Sequence, residues 1–395
     1  MRSPSDAENE AQVLMSEPGH ALLGEVSAIS RPRPADLARW RKTHTADFLA
    51  AALRLVDCRR RAEIKFSRAS SMWLESTGLQ QATSELVAKH KATRFRAAPL
   101  VVDLCSGIGG DAIALAERSD VIAVDADHAM GRRLNWNARV YERSTRVLSV
   151  SSRAEQFGLP AQSHVHIDPD RRASDGDHRA REIADYVPSV DHLVKIMAKA
   201  SGGAIKLGPG SDFDRHFSNN ETEVEIISLA GECKEATIWF GDLATCRRRA
   251  TVLPSGLGWT EQDGAGRAES HPLSQWLYDP DPALTRSGLL DGFAVAHALG
   301  RPFPGIDLLT SDVRMQTPWL QEFEVGDVLP FDIKTLRRLV ARRGLGPLEI
   351  KPRGIALKPE ELRLTLRPGR DRAATIFVVR DLLQTRAIVA RRPVN

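Results

Sequence analysis

Cysteine, tyrosine and long apolar runs are scarce in this 395-residue chain. The four cysteines, Cys58, Cys105, Cys233 and Cys246, lie far apart and form no C-x-x-C pair, so neither a disulfide framework nor a zinc site is expected. No stretch approaches ~20 consecutive apolar residues, which excludes a membrane-spanning helix. The first ten residues are polar, carry no charged-then-apolar leader, and are expected to be weakly ordered or disordered; the expected location is a reducing cytoplasm. There is no internal repeat and no low-complexity tract of note. What remains is ordinary soluble composition, 42% apolar and 27% charged, with a length that suggests two to three domains. The net charge of +4 is unevenly spread. Residues 321–395 hold 16 Lys and Arg against 9 Asp and Glu, an excess of seven positive charges, while the rest is near neutral or slightly acidic. Such asymmetry is the footprint expected of nucleic-acid contact, although a solvated basic surface gives the same counts.

The densest pattern is Val101-Val102-Asp103-Leu104-Cys105-Ser106-Gly107-Ile108-Gly109-Gly110-Asp111, followed by Val121-Ile122-Ala123-Val124-Asp125-Ala126. It reads as a buried strand, a glycine turn, a helix start and a second strand ending in an acid. Gly107, Gly109 and Gly110 let the backbone turn and approach a ligand. The helix after them points its N-terminus at that ligand. Asp125 stands where a carboxylate can accept both hydroxyls of a ribose. The glycines also fit the dinucleotide pattern G-x-G-x-x-G/A, a weak match when alone. Asp103 before the glycines and Asp111 after them favour a cationic ligand over a pyrophosphate, and so S-adenosylmethionine (SAM) over a dinucleotide. Asp111 has a plainer reading too, as a helix cap.

His164 to Ile167 is the fourth strand by chain order and ends in Asp168-Pro169-Asp170-Arg171-Arg172. The carboxyl end of that strand faces the reacting group in a doubly wound sheet. Asp168 there can orient a nucleophile or accept its proton, and Arg171 and Arg172 can steer a phosphate. The alternative is a turn cap with two solvated arginines.

D-L-C-S-G-I-G-G-D followed by A-V-D-A-D resembles the first two motifs of class I SAM-dependent methyltransferases. Gly78-Leu79-Gln80-Gln81-Ala82-Thr83, the Val87–Phe95 segment and Asn135-Trp136-Asn137-Ala138 resemble the trimethylguanosine-synthase-like branch and its bacterial relatives with a C-terminal THUMP-like domain. The likeness covers most of residues 60–395. It implies a Rossmann-like α/β sheet, mostly parallel with an antiparallel hairpin at its end, and SAM as cofactor. It places Asp103, Cys105, Gly107, Gly109, Asp111, Asp125, Ala126 and Ala154 at the cofactor and Asp168, Pro169 and Arg171 at the reaction. Two departures stand out. Amine methyltransferases of this class follow Asn or Asp with Pro-Pro and an aromatic residue, whereas here Asp170 and Arg171 fill those places. Relatives grip the adenine with an Asp-Ala pair, whereas here Arg153 replaces the acid and Glu155 is the nearest carboxylate.

Strands are expected near Leu100, Val121, Val147, Val165, Ala204, Val224, Ala236 and Arg249–Leu253, with helices at 129–140 and 190–200. Residues 1–95 read as an N-terminal helical region, with one helix over 36–61; 96–255 as the methyltransferase domain; 256–270 as a Gly-rich linker; 271–395 as an α+β domain. In the last, a helix over 283–299 with Asp281 as N-cap and Pro282 at its first position is expected. Leu348-Glu349-Ile350-Lys351-Pro352-Arg353-Gly354 resembles the THUMP-like signature, which implies RNA as partner and Lys351, Arg353, Arg370 and Arg372 as phosphate contacts. The function expected is methyl transfer to a base in tRNA or rRNA. A methyltransferase of small molecules or proteins, and an inactive RNA-binding relative, are the alternatives.

Overall fold

A computed structural model describes residues 4–170, 186–217, 221–382 and 384–393. Two compact units divide the chain: Met1–Glu223 with Ala236–Thr245, and Val224–Glu235 with Cys246–Asn395. No helix among the described residues is long and apolar enough to cross a membrane.

The first unit opens with four helices: α1 (Pro4–Met15), α2 (Glu17–Ser27), α3 (Pro34–Trp40) and α4 (Ala46–Ala62). Residues 4–10, part of the segment expected to be weakly ordered, belong to α1. α1 buries Ala7, Ala11, Val13 and Leu14, and buries the carboxylate of Glu10 as well. α2 is capped by Ser16, whose Oγ accepts from Gly19 N. The single helix expected over 36–61 is two, because Thr45 caps a new one by accepting from Phe48 N. These helices share a core around Trp40, Leu55 and Trp73.

Short helices α5 (Ser76–Gln81) and α6 (Glu85–Ala92) lead into the sheet. It is built from β1 (Leu100–Leu104), β2 (Asp120–Asp125), β3 (Val147–Ser151), β4 (His164–Ile167) and β5 (Gly202–Leu207), with helices α7 (Gly110–Leu115), α8 (His128–Val140) and α9 (Val190–Met197) between them. After α10 (Phe213–Phe217) come β6 (Thr222–Leu229) and β7 (Glu232–Gly241). The strand order is β3-β2-β1-β4-β5-β7, parallel except for β7, whose Ala236–Gly241 half runs antiparallel to β5. Because β1 pairs with both β2 and β4, the order reverses at β1, and a crevice opens at the carboxyl ends of β1 and β4. Leu104 sits in register with Val124 on one side and Ile167 on the other, so three strand ends finish level around that crevice.

In the second unit, Ala230 (φ 53°) and Gly231 (φ 79°) make the two-residue hairpin turn between β6 and β7. β6 pairs parallel with β8 (Arg248–Leu253), which pairs antiparallel with β9 (Leu257–Thr260). β9 lies inside the expected linker: Gly256 (φ 73°) supplies a turn, and the chain returns along β8 instead of leaving the fold. A six-stranded sheet follows in the order β11-β10-β12-β15-β14-β13. Its strands are β10 (Trp276–Pro280), β11 (Leu309–Ser311), β12 (Leu320–Pro330), β13 (Leu345–Arg353), β14 (Arg372–Arg380) and β15 (Thr385–Arg391). The helix expected over 283–299 is two, α11 (Pro282–Arg286) and α12 (Leu290–Ala296), separated at Gly288 (φ 76°). Asp281 caps the first of them, accepting from Ala283 N at 2.8 Å. α13 (Ile333–Arg343) and α14 (Pro359–Leu366) bury Leu336, Leu339, Val340, Leu362 and Leu366 on one face of this sheet.

Candidate active site

The loop after β1 turns through two left-handed residues in quick succession, Cys105 (φ 61°) and Gly107 (φ 53°), and a third, Gly109 (φ 92°), caps α7. A side chain at Gly109 would meet Leu134 at 2.9 Å. Gly78 on α5 is equally constrained, because a Cβ there would stand 2.6 Å from Ile108 in the loop. Glu75 fixes α5 in that position by accepting from Thr77 N and Gly78 N. Asn137 on α8 completes the frame: Nδ2 donates to Ile108 O (3.0 Å) and Trp73 O (3.2 Å), and Oδ1 accepts from Trp73 N (2.7 Å). The Asn-Trp-Asn-Ala segment thus stitches the loop to the chain before α5.

Asp125 ends β2 with both carboxylate oxygens engaged, Oδ2 by Gly107 N and Oδ1 by Asp127 N, each at 2.8 Å. Each oxygen keeps a lone pair for a ribose hydroxyl. Burial raises its pKa, against those two N–H groups, which lower it. Ala126 is exposed beside it, and Ala154 is buried in the turn after β3.

Asp103 is 1% exposed. Its Oδ1 meets Nδ1 of His166 on β4 at 2.7 Å, and its Oδ2 has no hydrogen-bond partner among the described residues. His166 Nε2 lies 3.2 Å from Lys91 Nζ. An ammonium only donates, so Nε2 accepts and the ring proton sits on Nδ1, directed at Asp103. Lys91 also pairs with Asp111 Oδ1 at 2.9 Å, and Thr83 Oγ1 donates to Asp111 Oδ2 at 2.6 Å. A buried chain of five side chains therefore links α6, β4, β1 and α7 beneath the loop. Asp111 is not the cap of α7: Gly109 holds that place, and the Asp111 carboxylate faces Lys91 and Thr83. Burial pushes the Asp111 pKa up, but Lys91, His166, Lys206 and Thr83 outweigh it, and the group sits below its ordinary value. Asp103 goes the other way, raised by burial more than His166 lowers it.

Asp168 follows β4 with its N–H on Leu104 O (3.1 Å) and its side chain 22% exposed. Oδ2 accepts from Lys206 Nζ at 2.6 Å, and Oδ1 has no hydrogen bond among the described residues. Lys206 is buried on β5 and also donates to Gln81 O at 3.1 Å. Gln81 Nε2 in turn donates to Asp170 Oδ1 at 3.0 Å. Pro169 is buried between the two acids, and Arg171 lies outside the described residues. Sequence reading missed Lys206, His166, Lys91 and Gln81. The signal was present for two of them: a lone Lys or His inside an apolar strand is unusual enough to need a partner.

The fit to SAM can be judged from these groups. Burial, and after it the charges of Asp125, Asp168, Asp103 and Glu155, push the Cys105 thiol pKa well up. A local excess of negative charge of that kind suits a ligand with a sulfonium and an ammonium. The unpartnered Asp103 Oδ2 and the unpartnered Ser106 Oγ are two buried polar atoms whose needs a polar, cationic ligand would meet. The site fits.

The second unit holds the expected phosphate contacts in two settings. Lys351 and Arg353 are not free: Asp279 accepts from Lys351 Nζ at 2.8 Å and from Arg353 Nη2 at 2.7 Å, at the edge of a cleft of about 960 Å³. Arg370 and Arg372 are exposed.

Residues 98–190 match the family described as RNA cap guanine-N2 methyltransferase, residues 320–392 that described as THUMP domain-like, and residues 9–62 a domain of unknown function. A crystal structure described as a methyltransferase of Porphyromonas gingivalis W83 superposes with a TM-score of 0.75 over 98% of this chain and 99% of that one, at 17% identity. The fold is therefore shared from end to end. In Mycobacterium tuberculosis strains H37Rv and CDC 1551, an uncharacterised S-adenosylmethionine-dependent methyltransferase is 34% identical over 321 residues, covering 78% of this chain and 85% of the relative. Together with the glycine loop and the acid at the end of β2, that likeness makes this chain a member of the class I SAM-dependent methyltransferases, with a THUMP-like domain at its C-terminus.

Proposed function

We propose that the methyl acceptor is a base in RNA, tRNA or rRNA, and that the reacting atom is a nitrogen that donates a hydrogen bond to Asp168. The observation that carries the reading is the state of that carboxylate: one oxygen is held by Lys206, the other is open, and both stand at the carboxyl end of β4 beside the cofactor loop. The match of residues 98–190 to a guanine-N2 methyltransferase family and the THUMP-like match of residues 320–392 support RNA as the substrate class.

Bound SAM supplies an electrophilic methyl group. Asp103 offers Oδ2 to its ammonium, and Asp125 offers its free lone pairs to the ribose. Asp168 Oδ1 would accept the N–H of the acceptor and hold that nitrogen toward the methyl group that SAM would supply, and the proton the nitrogen sheds on methylation would leave through Asp168 to solvent. Lys206 holds the carboxylate in place, and proximity supplies much of the rate. No aromatic platform follows Pro169, so the base has to be held by contacts other than a stacked ring at that position.

The test is transfer of labelled methyl from SAM to total RNA from cells lacking the protein, with digestion to nucleosides to find the modified base. Asp168→Ala is expected to lower incorporation at least ~100-fold while SAH affinity stays within about threefold, the pattern of a group that acts only on the acceptor. Label found in protein or small molecules but not in RNA would overturn the reading.

A further inference from the structure

The basic excess of the C-terminal region is gathered at one end of the second unit. β13 and β14 are parallel, with Leu345 and Gly346 opposite Arg372, and α14 makes the crossover between them. A crossover helix runs back against its strands, so the last turn of α14 lies beside the first residues of both strands. α13 ends at the same place, passing into β13 through Gly344 (φ 60°). Gly369 N donates to Leu345 O at 2.7 Å and binds the loop after α14 to that end. This arrangement brings together Arg342, Arg343, Arg367, Arg370 and Arg372, all exposed. Arg343 is paired with Asp327 at 2.8 Å. The other four have no ion pair among the described residues, and Asp371 is the one acid in the loop. Two helix C-termini offset only about half a charge each. After Asp327, Asp371 and the two helix ends are set against the five arginines, a net positive charge of about two is left among the described residues of this end.

We infer that this arginine end is the docking surface for the phosphodiester backbone of a folded RNA, and that Lys351 and Arg353, closed on Asp279, are not. The inference rests on the RNA reading above. Guanidinium forks match phosphate oxygens in pairs. A lipid surface is the poorer partner, because α13 and α14 leave only single apolar side chains exposed, Ile333 and Leu364, while Leu336, Leu339 and Val340 are spent on the sheet.

The test uses the full chain, labelled bulk tRNA and vesicles containing phosphatidylserine. The variant is Arg342→Glu/Arg367→Glu/Arg370→Glu. In wild type the slope of log affinity against log salt is expected near −3 to −4, about 0.7–0.9 for each of four phosphates. In the variant, tRNA binding at fixed salt falls at least ~30-fold and the slope flattens by about two to three, while SAH affinity is unchanged. If the variant binds and methylates RNA as wild type does, the arginine end is not the surface and the RNA reading stands. If wild type neither binds nor methylates RNA, the RNA reading falls and the inference with it. If vesicles bind, tRNA does not, and the mutations abolish vesicle binding, the surface serves lipid phosphates and the inference is wrong.

Discussion

Replacing Lys91 with methionine should cost the first unit more than most single substitutions, and the structure says how much. Lys91 is 1% exposed and its Nζ is 2.9 Å from Asp111 Oδ1. At an effective dielectric of about 20, two unit charges at that distance attract by about 6 kcal/mol, less whatever each loses in leaving water. Removing one partner of a buried pair leaves the other unanswered, and such losses run to about 3–5 kcal/mol. Lys91→Met should fall in that range. Asp111→Asn added to it removes the orphaned charge and keeps a polar partner for Thr83, so the double variant should recover about 2 kcal/mol or more of what the single lost. Urea unfolding followed by tryptophan fluorescence measures both, and the transition that SAH shifts upward is the one that belongs to this unit. The same change strips the donor from His166 Nε2 and frees the ring proton that now points at Asp103, so SAH affinity should fall by about tenfold. A single variant that costs less than about 1 kcal/mol, or two substitutions whose costs simply add, would refute the idea that Lys91 and Asp111 act as one buried pair.

Lys206→Met should slow methyl transfer by about 30–100-fold with little change in SAH affinity, and Lys206→Arg should restore most of it; single-turnover label transfer distinguishes these, and equal loss in both variants would rule out a positioning role. Asn137→Ala removes three buried hydrogen bonds and should destabilise the cofactor loop by about 2–3 kcal/mol, read as a lower unfolding midpoint and weaker SAH binding together. The pH response follows from opposite shifts. Burial raises Asp103 and Asp125 above the ordinary carboxylate value, and the proposed roles need both ionised, so SAH affinity is expected to fall with acid at a pH above that at which an ordinary carboxylate loses its charge. Asp111 is lowered, so its contribution to stability is present above the ordinary carboxylate value and lost only as the pH falls below it. Calorimetry at falling pH, with folding checked at each step, should therefore show SAH affinity lost before the contribution of Asp111 to stability, and affinity that persists until the protein unfolds would contradict the assignment.

What the sequence made legible was whatever is local. The β-runs of the sheet fall where alternation and Val-rich stretches place them. The helix over 36–61 and that over 283–299 were read as continuous because apolar spacing carries across a break; Thr45 and Gly288, single residues that end and restart the backbone pattern, were outweighed. The glycine loop and Asp125 were visible as a motif. The groups that fix their chemistry were not, because each comes from far along the chain: Lys91 is 75 residues from His166, and Lys206 is 38 from Asp168. Lys351 and Arg353 looked available for phosphate for the same reason. Asp279 accepts from both, 72 and 74 residues away and on a strand that is not their neighbour in the sheet, and Glu349 stands 3.6 Å from Lys351.

Trp73 gives the molecule an optical consequence. Its indole N–H donates to buried Glu10 at 2.9 Å, the Arg132 and Arg133 guanidinium carbons each lie 5.5 Å from the centre of the ring, and its backbone is tied through Asn137 to Ile108 in the cofactor loop. An indole between a carboxylate and two guanidiniums emits at a wavelength that depends on their spacing, and that spacing is anchored to the glycine loop proposed to hold SAM. Trp73 is one of seven tryptophans, so cofactor arrival is expected to shift part of the native emission, and Trp73→Phe is expected to remove that shift. Such a signal is label-free and can be read by stopped flow before any RNA substrate is in hand.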